Sequence, residues 1–475
     1  MLRTHTCSEL NEKDIGKNVK LCGWVDTIRE HGKITFVDLK DRYGKVQGVA
    51  IAKNKDVFEI LKGLTKESSI MIEGKVQQRP KGTENEKIPT GKIEVFIEKV
   101  GIFNRCPPLP FELEDKNVNE DVRLKYRFID LRRPEMQRNL IFRDQVIKST
   151  RDFFHNKNFI EIETPLIAKS TPEGSRDYVI PSRVHAGKFY ALPQSPQLFK
   201  QLMMVAGYDR YFQIARCMRD EDLRADRQPE FTQIDIEMSF IEQDDIIKTT
   251  EEMLKKVFKE TLNVDLKIPF KRISYQDAMK KYKSDKPDLR KETKEKFAFV
   301  WVIDFPLFEY SEEEKKHVST HHPFTMPNMA EFKKNPLKSN SLAYDIVLNG
   351  VELGGGSIRI HDLEIQKKIF DILGISPAES EKKFGFLLNA LGYGAPPHGG
   401  LAIGLDRMIQ LMLELESIRE AIAFPKNKEA RDVMLDAPSE ISDRQLKENH
   451  INLSLGDKVY VPKKENAKKV SKKKK

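Results

Sequence analysis

A chain of 475 residues is too long for one ordinary core and predicts two or three domains, and its 39% hydrophobic content with 24 Pro and 25 Gly reads as a folded, soluble protein. No apolar run approaches a membrane span, residues 1–13 lack a signal region, and four scattered cysteines form no CxxC pair, so membrane, disulfide-framework and zinc-finger classes are excluded and a reducing cytoplasm is expected. The net charge of +9 is local: residues 463–475 carry eight Lys and one Glu, a basic arm that is either a solubilising end or a salt-sensitive contact to a polyanionic backbone.

Residues 1–105 alternate as strands at 19–28, 33–40, 45–52, 68–77 and 92–103, with a helical pattern at 56–64 between the third and fourth. Five strands with a helix in that place predict an OB-fold β-barrel, a common binder of single-stranded nucleic acid, although other five-stranded barrels share the pattern. Cys106-Pro107-Pro108-Leu109-Pro110 breaks helix and strand and opens a linker over 106–134. A long helix is expected over 134–157, and strands and helices alternate to about residue 440, giving an α+β domain over 135–445 and a Lys-rich extension over 446–475. Residues 280–296 are charged, poor in core side chains, and read as a surface connection.

Within that second domain, Ser195-Pro196 reads as a helix start, with Ser as N-cap and Pro at the first helical position, which places Gln197 and Lys200 on one face. Strand-like runs at 211–219 and 231–240 follow. In the second, Gln233, Asp235 and Glu237 share one face, opposite Ile234, Ile236 and Met238. In the first, Arg219 ends a face with the small Ala215 and Cys217, suited to donate in pairs to phosphate oxygens. His321-His322-Pro323 lacks a correctly spaced third ligand for a metal site.

Asn349-Gly350 is a strong hairpin signal between runs 342–347 and 352–360. A two-residue turn sets Val347 opposite Glu352 and Asp345 opposite Gly354, leaving Asp345 and Glu352 as diagonal neighbours able to bracket Mg²⁺, a hard cation that prefers oxygen ligands and substrate phosphates. Gly354-Gly355-Gly356 implies a bulge or a ligand against bare backbone. Residues 399–405 form a small-residue strand feeding a helix at Asp406-Arg407, with Met408, Leu411, Met412 and Leu415 on its buried face and Arg407 near free amides, where an anion would sit.

Taken in order, these pieces resemble a known family. The run from Arg216-Cys217-Met218-Arg219-Asp220-Glu221 through Gln228-Pro229-Glu230-Phe231 resembles motif 2 of bacterial-type aspartyl-tRNA synthetases. Phe159-Ile160-Glu161-Ile162-Glu163-Thr164-Pro165-Leu166 resembles motif 1, the dimer element of class II, and Gly404-Leu405-Asp406-Arg407 resembles motif 3. The segments around Gln194–Lys200, His321–Thr325 and Gly354–Arg359 are similar to further family elements, and the likeness covers nearly the whole chain outside the Lys tail.

The resemblance implies a class II catalytic domain on an antiparallel sheet flanked by helices, with ATP as substrate and Mg²⁺ as cofactor. Arg219 and Arg407 would be the catalytic cations, on the α- and γ-phosphates, and Glu221, Gln228 and Glu352 would complete the ATP site. Asp345 and Glu352 would bind Mg²⁺. The aspartate side chain would meet Lys200 and Arg359 under His321 or His322, with Ser195, Gln197, Gln233 and Asp235 around the rest and Glu173 on a closing loop. Strict hairpin parity sets Arg359 opposite Glu352 in face; a bulge in the Gly run would restore it.

The same resemblance implies a homodimer built on motif 1. It also implies L-aspartate and tRNA-Asp as partners, with Arg29, His31, Phe36 and Gln47 as anticodon contacts. His31 stands where enzymes strict for tRNA-Asp commonly have Leu; it can donate, accept or stack, so charging of tRNA-Asn is expected too. The family's large insertion between motifs 2 and 3 is missing, since Tyr282–Arg290 runs almost directly into Phe299–Pro306. The rivals are an asparaginyl-tRNA synthetase, disfavoured by the cation at Lys200, an ammonia-dependent asparagine synthetase, disfavoured by the barrel, and a non-catalytic tRNA-binding module.

Overall fold

The computed structural model describes residues 1–171, 175–221, 227–312 and 315–453, arranged as two compact units, Met1–Arg133 and Pro134–Lys475. Glu173 and the Lys-rich tail lie outside the described residues.

In the first unit, strands β1 (Asn18–His31), β2 (Ile34–Lys40), β3 (Lys45–Ile51), β4 (Ser69–Gln78) and β5 (Ile93–Asn104) close a barrel in the order β1-β2-β3-β5-β4, with helix α1 (Lys55–Lys62) between β3 and β4. Period-two alternation turns Val19, Leu21, Val37, Leu39, Ile70, Ile72, Val95 and Ile97 inward to one apolar core. Closure removes the free sheet edges that an open five-stranded sheet would expose. The segment read as a linker is more structured than its prolines suggest. It carries α2 (Glu120–Lys125) and α3 (Arg127–Asp130), and Phe111, Leu113 and Ile129 bury a small cluster of their own.

The second unit opens with α4 (Pro134–Asn156), followed by the short strands β6 (Ile160–Glu161), β7 (Val179–Pro181) and β8 (Phe189–Ala191). Helix α5 (Gln197–Val205), strands β9 (Arg210–Met218) and β10 (Glu230–Ser239), and α6 (Gln243–Leu262) come next. Then follow β11 (Lys271–Ser274), α7 (Tyr275–Tyr282), α8 (Arg290–Thr293), β12 (Phe299–Ile303), β13 (Phe308–Ser311), β14 (Lys316–Ser319) and α9 (Met329–Phe332). The described chain is completed by β15 (Ala343–Leu348), β16 (Val351–Ile358), α10 (Leu363–Ile372), α11 (Pro377–Leu391), β17 (His398–Gly404), α12 (Leu405–Leu413) and α13 (Asp443–Glu448).

Eight strands form one sheet in the order β11-β12-β15-β16-β17-β10-β9-β6. The six inner strands pair antiparallel, as the resemblance implies, but both edge strands join in parallel, β11 on β12 and β6 on β9, so the sheet is mixed. Its helix-covered face buries Ile234, Ile236, Met238, Leu401 and Ile403 against α4, α6 and α12 through Val146, Phe154, Leu254, Phe258, Met408 and Met412. The opposite face of the inner strands holds the polar side chains. Residues 280–296 differ from the expected surface connection: Leu289 is fully buried in a satellite core with Val300 and Val347.

Candidate active site

The Asn349-Gly350 turn forms as its sequence demands, both residues at positive φ (54° and 83°), the pairing that matches the twist of the flanking strands. Leu348 faces Val351 and Val347 faces Glu352, but the register then slips, so Asp345 faces Gly355 rather than Gly354. The extra residue, Leu353, restores the parity that an unbroken ladder would have lost. Asp345, Glu352 and Arg359 therefore all line one cavity of about 830 Å³. Glycine is required here by contact: a Cβ at 355 would run into the Asp345 carboxylate, and at 354 and 356 into the carbonyls of Ala402 and Gly400.

At the floor of the cavity, β10 presents Gln233 and Asp235, with Glu237 fully buried beyond them. The small-residue strand β17 makes room for that last carboxylate, since a Cβ at Gly400 would strike it. Lys200, on the first turns of α5, puts Nζ 2.7 Å from Asp235 Oδ1 and 3.4 Å from Glu237 Oε2. Arg359 donates from Nε to Glu237 Oε1 (3.0 Å), from Nη2 to Oε2 (3.3 Å) and from Nη1 to Ser357 Oγ (2.8 Å). The four charged side chains are at most 2% exposed and compensate one another, two cations against two anions. Burial pushes the Asp235 carboxyl up against the pull of Lys200, whereas Arg359 and Lys200 hold Glu237 below the usual range despite its burial. The residues expected to receive a substrate carboxylate are thus already paired within the protein.

His322 sits against Arg359, Nε2 to Nη1 at 2.5 Å. Burial, with the charges of Arg359, His321 and Lys200, holds its pKa well below that of a free imidazole. His321 does the reverse: Asp345, 3.2 Å from its Nε2, raises it although burial opposes. Its ring stands edge-on to Phe305 at 4.6 Å.

The two candidate metal ligands carry resident partners. Asp345 holds His321, and burial pushes its carboxyl up; Glu352 holds Lys286 at 2.9 Å, which keeps it low despite burial. Two carboxylates facing one cavity suit a hard divalent cation. No group of three or more His, Cys, Asp or Glu able to hold a metal occurs among the described residues, so phosphate and water oxygens would have to complete the shell.

At the other end, Arg219 lies over the Phe231 ring (5.1 Å), its buried Nε without a hydrogen-bond partner. Arg407, in the first turn of α12, donates from Nη1 to the Glu352 carbonyl at 2.7 Å. Glu221 accepts from Ser175 and from Arg227 (2.9 Å), and Gln228 exchanges two hydrogen bonds with the Lys426 backbone (3.0 and 2.8 Å). All four line the cavity, as do Ser195 and Gln197. The α5 start is shifted from expectation: Pro196 is the N-cap and Gln197 the first helical residue. Ser195 Oγ still accepts from the Gln197 amide at 3.3 Å, a turn rather than a cap because proline fixes the backbone between them.

Sequence reasoning missed three contributors. Lys286 and Asp285 line the wall, although their segment carries only a charge pattern typical of solvent-facing chain. Glu237 stood on the right face, but nothing local marked it as the partner of both cations.

In the barrel unit the four expected anticodon contacts lie on neighbouring strands. Arg29 faces Phe36 across β1–β2, bridges Asp38 (2.9 Å) and donates to Gln47 (3.2 Å); Gln47 in turn donates to Glu94 (2.8 Å). The exposed His31 ring stands edge-on to Phe36 at 6.0 Å.

Residues 119–428 match the family model of tRNA synthetases class II (D, K and N), and residues 19–102 match that of the OB-fold nucleic acid binding domain. Fold and site together define a class II aminoacyl-tRNA synthetase. Two relatives are named Aspartate--tRNA(Asp/Asn) ligase. That of Caldanaerobacter subterraneus subsp. tengcongensis is 45% identical over 95% of this chain and 98% of its own, and that of Thermotoga maritima is 43% identical over 96% and 100%. The chain belongs to the aspartyl-tRNA synthetases of this bacterial type. The first alignment spans 583 positions against a chain of 475 residues, so more than a hundred positions of it hold no residue here. Solved structures share the fold: asparaginyl-tRNA synthetase from Pyrococcus horikoshii complexed with asparaginyl-adenylate (TM-score 0.75, 24% identity, 90% of this chain and 98% of that one) and a putative aspartyl-tRNA synthetase from Leishmania major Friedlin (0.75, 21%, 90% and 94%).

Proposed function

We propose that the protein activates L-aspartate with ATP and transfers the aspartyl group to the terminal ribose of tRNA-Asp and of tRNA-Asn. The observation that carries the amino-acid assignment is the buried quartet Lys200–Asp235–Glu237–Arg359 at the cavity floor. A substrate ammonium suits Asp235, and a side-chain carboxylate suits the two cations. An amide would set an N–H group against Lys200 or Arg359, and a buried mispairing of that kind supports large discrimination without proofreading. The names of the relatives support the same substrate and both tRNAs.

In this reading the aspartate α-carboxylate attacks the α-phosphorus, forming the adenylate and releasing pyrophosphate, after which the ribose hydroxyl takes the aspartyl group and releases AMP. No side chain serves as nucleophile. Arg219 neutralises charge at the α-phosphate and Arg407 at the far end of the polyphosphate, and the cavity holds both reactants in line. Asp345 and Glu352 would hold Mg²⁺, which supplies further charge neutralisation on the phosphates. Glu221 and Gln228 serve the adenosine side. The barrel reads the anticodon through Arg29, His31, Phe36 and Gln47. A homodimer would cover the motif 1 edge, where Ile160, Leu166 and Ile167 are 46%, 50% and 52% exposed. Pyrophosphate exchange with each of the twenty amino acids tests the assignment. Aspartate should exceed asparagine and glutamate by orders of magnitude, and comparable exchange with asparagine would overturn it.

A further inference from the structure

Both carboxylates assigned to the divalent cation are paired with groups of the protein itself, and the two occupants differ in exposure. His321, against Asp345, is 19% exposed and packed on Phe305. Lys286, against Glu352 at 2.9 Å, is 41% exposed and rises from the irregular segment between α7 and α8, on a flexible four-carbon stem. Lys286 lies against Glu352 Oε2, so an ion bound through that oxygen takes its place, and of the two occupants it is Lys286 whose exposed stem lets it turn aside. The nearest wall beyond Glu352 is formed by Arg407, which donates to the Glu352 backbone carbonyl and is assigned to the polyphosphate.

We propose that Lys286 is a placeholder cation: it compensates Glu352 while the site is free of nucleotide, yields that carboxylate to the divalent ion arriving with ATP, and turns its ammonium onto the polyphosphate. The inference rests on the metal assignment made above. It gives a task to a lysine in a run that otherwise reads as solvated chain. It also explains how the two carboxylates stay together without an ion: Lys286 pairs with Glu352, which Arg407 favours from further off, and His321 pairs with Asp345.

The test uses Mn²⁺ alone on the full-length, nucleotide-free protein, followed by electron paramagnetic resonance of the free ion, together with equilibrium binding of Mg²⁺·ATP without aspartate. Lys286→Met should bind Mn²⁺ about tenfold more tightly than the wild type and Mg²⁺·ATP about tenfold more weakly, as expected for loss of one competing and then one attracting charge. Lys286→Arg should stay near the wild type in both. Unchanged or weaker Mn²⁺ binding in Lys286→Met overturns the placeholder, and tighter Mn²⁺ with unchanged ATP binding overturns the second half of its task. Glu352→Gln separates the two levels. If it leaves Mn²⁺ affinity intact, the metal assignment fails and the placeholder with it; if it weakens Mn²⁺ while Lys286→Met has no effect, only the placeholder fails.

Discussion

Replacing Lys200 by Met removes one cation from a neutral buried quartet and leaves two carboxylates, Asp235 and Glu237, facing Arg359 alone. Lys200 Nζ is 2.7 Å from one and 3.4 Å from the other, with its side chain 2% exposed. A unit-charge pair about 4 Å apart at an effective dielectric constant near 20 is worth about 4 kcal/mol. Breaking a buried pair by removing one partner costs about 3–5 kcal/mol. Protonation of Asp235, whose carboxyl burial already pushes up, relieves part of that cost. The loss in transition-state binding of aspartate should therefore be about 2–5 kcal/mol, which is a fall in kcat/KM of roughly thirtyfold to several-thousandfold. Pyrophosphate exchange with aspartate and ATP varied in turn reads it directly. The KM for ATP should change little, because Arg219 and Arg407, proposed above to meet the phosphates, stand at the other end of the cavity, and the aspartate-to-asparagine ratio should narrow. An ATP KM that rises with that for aspartate, or a fall in kcat/KM of less than about threefold, would refute the division of labour argued from the quartet.

In the homodimer proposed above, Leu166→Asp on the exposed motif 1 segment should leave a monomer in sedimentation that lacks activity; a fully active monomer would disprove the interface. Aspartylation of both transcripts should be comparable for the wild type and shift toward tRNA-Asp in His31→Leu, whereas a strong tRNA-Asp preference unaltered by the substitution would exclude His31 as the cause. His322 has a depressed folded pKa, so below the unfolded value near 6.5 the unfolded chain takes up a proton that the folded chain refuses, and stability present above about pH 6.5 is lost on acidification. From pH 6.5 to 5.5 this contributes up to about 1.4 kcal/mol per pH unit, and the Tm of His322→Asn should depend less on pH there than that of the wild type; equal slopes would contradict a neutral His322.

Much of this protein was legible in local sequence. Period-two alternation located the five barrel strands to within a residue except at the end of β1, which runs three residues further to His31, because a strand buried on one face must alternate whatever surrounds it. The Asn349-Gly350 turn, the face of β10 and the strand-to-helix step at Gly404-Leu405 followed from backbone preferences of the residues themselves. The motif order carried the family, and with it many of the polar side chains that line the cavity, though not Lys286 or Asp285.

Tertiary structure alone decided which of those side chains touch. The slip at Leu353 that returns Arg359 to the face of Asp345 depends on how closely β15 and β17 approach the glycines between them. Glu237 meets Lys200 and Arg359 across 37 and 122 residues of chain, and Gln228 meets Lys426 across 198. Lys286 lines the cavity because the segment after α7 folds back over the β15–β16 hairpin, although its neighbours read as solvent-facing. Propensity and periodicity act over a turn or a strand and record which face a residue is on. Ion pairing and register are settled by close packing between elements distant in sequence, where a single extra residue reverses a face and a missing Cβ opens the space for a charge.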